Sequence, residues 1–111
     1  MGVDVSLSEL RPDDETLAGE TVIPPHKQKG WVLELKATMK AGEALGFEYE
    51  ADGPLAFNIH SHHGKEITHH VHVDDRQAAG EFISPQAYDY YPMWENSQDR
   101  PVKLKYRIWR K

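Results

Sequence analysis

Residues 102–108 alternate strictly: Val102, Leu104, Tyr106 and Ile108 are apolar, and Lys103, Lys105 and Arg107 between them are charged. A period of two is that of a β-strand with one face on a core and the other in water. The same rhythm runs through Trp31-Val32-Leu33-Glu34-Leu35-Lys36-Ala37, where Trp31, Leu33 and Leu35 share a face. Leu45, Phe47 and Tyr49 alternate with Gly46, Glu48 and Glu50, and Leu55, Phe57 and Ile59 begin another run. Further strands are expected over 67–73, 79–83 and 88–95, the last with Pro92 marking an edge or a bulge. Turn residues punctuate the runs at Lys40-Ala41-Gly42-Glu43, Asp52-Gly53-Pro54, Gly64, Ser84-Pro85 and 96–101. No segment has a helical period. The expected fold is all-β, an antiparallel β-sandwich of about seven to eight strands.

The chain has 111 residues, which suits one domain with one core and no staples. Residues 1–20 are polar and acidic around Pro12-Asp13-Asp14-Glu15 and read as a flexible arm or linker with room for one short strand. The sandwich is expected over 21–111, entered at Pro24-Pro25. No apolar run is long enough to span a membrane. The opening Met1-Gly2-Val3-Asp4-Val5 is not a signal peptide, although a signal or anchor could have been removed from the chain. A net charge of −5 argues against nucleic acid and leans towards cationic partners. The absence of cysteine excludes disulfides, thiolate metal sites and cysteine nucleophiles.

From Trp31 onward the layout resembles a GOLD-type β-sandwich. The segments that carry the resemblance are "MKAGEAL" leading into "GFEYEADGPLAFNIH", a hairpin on "HHGKEI", then "GEFISP", the aromatic "YDYYPMWEN" and a final "PVKLKYRI". The entry "IPPHKQKGWVLELKATMKAG" is similar to that of the soluble domain of small bacterial membrane-anchored proteins of this type. The resemblance implies a jelly-roll-like scaffold for binding rather than catalysis. It also implies a periplasmic or other extracytoplasmic site of action. The cysteine pair, coiled coil and membrane segment usual in eukaryotic secretory members are missing, which speaks against a cargo receptor.

Histidine is not part of that pattern, yet His60, His62, His63, His69, His70 and His72 take six of thirteen positions. Imidazole-rich tracts without thiolates favour a transition metal, copper(II) or zinc first and nickel next, over calcium or magnesium. A three-residue loop His63-Gly64-Lys65 would face His62 with Glu66, Ile59 with His69 and Phe57 with Val71. That register puts Leu55, Phe57, Ile59, Ile67, Val71 and Val73 on the core face. It leaves His60, His62, His70 and His72 on the other, with Asn58, Thr68 and Glu66 between them. A two-residue loop is expected to mix apolar and polar residues on both faces. The expected ligands are therefore three of His60, His62, His70 and His72, with His63 and Glu66 as further candidates and Asp74 and Asp75 as supporting carboxylates. His69 falls on the core face, and His26 has no assigned part.

These features predict a non-enzymatic, metal-binding domain for sensing, buffering or transfer. The alternative is a protein–protein interaction domain whose histidines are incidental or pH-responsive. A third reading follows from His60, His62 and Glu66, which spell H-x-H-x3-E and resemble the first motif of the cupin metalloenzymes. No histidine follows His72 to supply the second motif. Ser61 has no G-x-S-x-G elbow around it.

Overall fold

A computed structural model describes residues 5–111. They form seven strands and no helix: β1 Val5–Leu10, β2 Thr16–Ile23, β3 Val32–Met39, β4 Ala44–His63, β5 Glu66–Ile83, β6 Tyr88–Glu95 and β7 Val102–Arg110. The order across the sheet is β1-β3-β6-β4-β7-β2, with β5 on the free side of β4. All pairings are antiparallel except that of β1 with β3. The all-β sandwich expected from the alternation is present, with one parallel pair added.

Two expected breaks between strands, one a turn and one a gap, are corners inside longer strands. Asp52-Gly53-Pro54 falls within β4, and the stretch between residues 73 and 79 falls within β5. Leu45–Ala51 pairs with β7 and Ala56–His60 pairs with β6, so β4 belongs to both layers of the sandwich. The corner is pinned to the start of β7. The Lys103 amide donates to Asp52 Oδ1 at 2.9 Å, and Arg100 donates to the Asp52 carbonyl at 2.7 Å. These contacts redirect the strand without ending it.

The segment expected as an arm contributes two strands. Its first four residues lie outside the described residues, but β1 pairs with β3, and β2 pairs with β7 from Thr16↔Trp109 to Ile23↔Val102. The 20/21 boundary therefore falls inside a strand. Arg110 ties this region to the sandwich. Its guanidinium meets Glu43 Oε1 at 2.7 Å and donates to the carbonyls of Arg11 and Asp14 at 2.7 and 2.8 Å.

The core lies between the layers and is strongly aromatic. Trp94 is fully buried, with ring centroids 4.9 Å from Phe57, 5.2 Å from Tyr106 and 5.7 Å from Tyr49. Three aromatic rings cover glycines on the neighbouring strand: Tyr106 over Gly19, Trp109 over Gly46 and Phe47 over Gly80. Trp109, which lies off the Leu104/Tyr106/Ile108 stripe, is half-buried for this reason and also carries Arg107 against its ring at 4.6 Å.

Burial also fixes a pH response. The Tyr49 hydroxyl donates to the Asp75 carbonyl at 3.1 Å. Burial, followed by the negative charges of Asp75 and Asp74, pushes its pKa up from 10.0 to about 12. Burial raises Tyr90, Tyr91 and Tyr106 in the same direction. The folded state thus holds these protons more tightly than the unfolded chain. Tyr49's contribution is complete below pH 10 and is lost as pH rises through about 12, amounting to about 2–3 kcal/mol. Urea unfolding at neutral and strongly alkaline pH checks this, and an unchanged midpoint contradicts it.

Candidate functional site

The hairpin β4–β5 carries six of the seven histidines. Its loop is the two-residue Gly64-Lys65, with His63 paired to Glu66, rather than the expected three residues. Gly64 has φ of +66°, which a glycine adopts without strain. From His63 to His60 the pairing runs regularly, reaching His60↔His69. It then shifts, so that Ile59 meets Val71 and Phe57 meets Val73. The shift is a bulge that leaves His70 as the extra residue. It restores the apolar match that a regular two-residue hairpin would have lost.

The bulge exchanges two histidines between faces. His69, expected inside, pairs with His60 and is exposed on the outer face. His70, expected outside with His60, His62 and His72, turns to the inner rim. There the Ser61 hydroxyl lies 2.8 Å from Nε2 of both His63 and His70. The hydroxyl has one proton, so at most one ring accepts from it and at least one donates its own N–H to the oxygen. His70 packs on Phe82 and Tyr90, and His63 stacks on Tyr88 at 4.8 Å. Burial, then the nearby His63, His60 and His69, holds His70 below the ordinary histidine range. Ser61 is fully buried, so this Ser–His contact braces the hairpin and offers no reachable nucleophile.

Other expected positions change as well. Ile67 pairs with His62 on the outer face and is 54% exposed, so it leaves the expected core stripe. Leu55, Phe57 and Ile59 stay buried, with Val71 and Val73 packed against them. Glu66 is exposed opposite His63, away from the outer histidines. His72 is exposed, with Nε2 3.1 Å from Asp74 Oδ1. His26 stands apart, packed on Trp31 with Nδ1 3.2 Å from the Asn96 carbonyl.

On the outer face one residue gathers the others. His60 is only 3% exposed. Its Nδ1 lies 2.6 Å from Asn58 Oδ1 and its Nε2 lies 3.1 Å from Glu34 Oε2. Tyr91 stacks on the ring at 5.5 Å, and His62 meets it edge-on at 5.0 Å. Glu34, His60 and His62 can each place one ligand atom within 4.8 Å of the others. Glu34 belongs to β3, with β6 lying between it and β4. Its place off the Leu33/Leu35 stripe marks it as outward-facing in the sequence. Its neighbours depend on strand order, which the sequence does not display.

No protein-family model matches the chain, and no curated protein matches it in sequence. Its fold, however, is found in solved structures. One is Aeromonas hydrophila PliG, a periplasmic lysozyme inhibitor of g-type lysozyme. It has a TM-score of 0.75 at 10% identity over 99% of this chain and 100% of that one. Another is the pre-peptidase C-terminal domain of a collagenase from Bacillus anthracis, with a TM-score of 0.68 at 6% identity over 100% and 98% of the two chains. Salmonella Typhimurium PliG, a periplasmic inhibitor of the same enzyme type, gives 0.65 at 11% identity over 99% and 100%. At such identities the likeness is one of fold. It supports a small all-β domain and does not confirm the GOLD resemblance.

Proposed function

We propose that this chain is a protein–protein interaction domain of the inhibitor type, working in the periplasm or another extracytoplasmic compartment. The observation that carries the reading is the end-to-end match of its fold with two periplasmic inhibitors of g-type lysozyme. Both chains are covered almost completely, so the comparison involves whole domains. This favours binding a protein over the metal-handling role expected from the histidine count.

The hairpin tip is a suitable contact surface. Ile67 and Tyr88 are exposed there, and the Tyr88 hydroxyl donates to the His62 carbonyl at 2.6 Å. Apolar and aromatic groups beside imidazoles, which both donate and accept hydrogen bonds, form a surface suited to a protein partner. The net charge of −5 favours a cationic partner.

The test is the lytic activity of a purified g-type lysozyme at rising concentrations of this domain, with calorimetry in parallel. Saturable one-to-one binding with loss of lysis is expected. Unchanged lysis and no heat of binding at about 100 µM, roughly −5.5 kcal/mol of binding free energy, would overturn the inhibitor reading.

A further inference from the structure

We infer that Glu34, His60 and His62 form a binding site for a borderline divalent metal ion, with zinc(II) the best match. The argument starts with His60. A neutral imidazole has one N–H, yet both ring nitrogens of His60 face acceptor oxygens, Asn58 Oδ1 at 2.6 Å and Glu34 Oε2 at 3.1 Å. A cation bound at Nε2 resolves this arrangement. Nδ1–H then donates to Asn58, the Nε2 lone pair binds the ion, and the Glu34 carboxylate supplies a second bond. An imidazole whose far nitrogen donates to an oxygen is the usual setting of a metal-ligating histidine.

His62 supplies the third ligand. It lies two residues along the same strand, on the same face as His60, with its ring 5.0 Å away. Tyr91 holds both rings, stacked on His60 and edge-on to His62 at 5.1 Å. The three ligand atoms lie within 4.8 Å of one another, and bonds of about 2.0–2.2 Å to one ion require them to approach further. The two residues that must move are the free ones: His62 is exposed and Glu34 partly so, while buried His60 stays in place.

Two imidazoles and a carboxylate on one side of an ion leave a position open for water or a further ligand, as a tetrahedral zinc site does. His69, exposed on the same face with its ring 5.9 Å from that of His60, falls outside that group and would have to swing in to supply the ligand. Copper(II) prefers a tetragonal arrangement, which ligands crowded to one side match less well. The site differs from the expected hairpin set. It omits His63, Glu66, His70 and His72, and it recruits Glu34 from another strand.

Calorimetric titration of the full chain with zinc(II) alone tests the inference, with histidine ring signals followed by NMR. One saturable site per chain is expected, with the rings of His60 and His62 perturbed together. Glu34→Gln and His62→Ala should each weaken binding by about 10–100-fold or more, and His72→Ala should leave it within about twofold. His62 and Glu34 carry the test because neither is a core residue, and a melting curve for each variant confirms that it folds. Absence of saturable binding overturns the inference. So does binding that survives Glu34→Gln and His62→Ala unchanged, or that His72→Ala weakens equally.

Discussion

Trp94→Ala is expected to lower the unfolding free energy by about 3–5 kcal/mol. The indole is fully buried and touches rings from β4 and β7, so its removal leaves a cavity where the two layers meet. For a domain whose whole stability is of the order of 5–15 kcal/mol, that is a large share. Trp94→Phe is expected to cost only about 1–2 kcal/mol. Trp94 Nε1 is buried and meets no acceptor among the described residues. Phenylalanine loses part of the ring volume but also removes this unpaired donor. Urea unfolding of both variants measures the contrast, and equal losses would show that the ring phenylalanine retains does not fill the space between the layers.

Asn96→Asp is expected to be as severe, about 3–5 kcal/mol at neutral pH. Asn96 is fully buried. Its Nδ2 donates to the carbonyls of Ile23, Pro24 and Arg100 at 3.1, 3.0 and 2.9 Å, and its Oδ1 accepts from the Gln98 amide at 2.8 Å. It thereby joins the end of β2 to the loop before β7. An aspartate would aim a carboxylate at three carbonyl oxygens. Asn96→Ala leaves the same carbonyls without donors and should cost about 2–3 kcal/mol. Acid distinguishes the two variants, because a protonated carboxyl regains one donor. The deficit of Asn96→Asp should shrink on acidification, while that of Asn96→Ala should not.

The strands with clean alternation, β3, the first half of β4 and β7, were legible because each turns its apolar residues to the core and its charged ones away from it. β1 and β2 were not. β2 lies at an end of the strand order and buries little beyond Leu17, Gly19 and Ile23, so its polar residues obscure the pattern. The corner at Asp52-Gly53-Pro54 has the residues of a turn. Its outcome was decided by Arg100 and Lys103, which are distant in sequence. On the hairpin, the core stripe through Leu55, Phe57 and Ile59 was readable, whereas the bulge at His70 was not. Adjacent histidines are polar on either face, so hydropathy does not signal where parity breaks. His60 and His62 stand out in the sequence by type and spacing. Glu34, which the fold sets beside His60, does not, because only the strand order brings it near.

The pairing of β2 with β7 joins positions near opposite ends of the described chain, Thr16 to Trp109. Such distant pairing demands a large loop closure before any contact is gained, and folds of this kind form in about milliseconds to seconds. On the ribosome, β2 and the first half of β4 must wait with open edges until the last strand emerges. Premature termination before Val102 would therefore leave two unpaired edges facing each other across the gap, ready to recruit another chain.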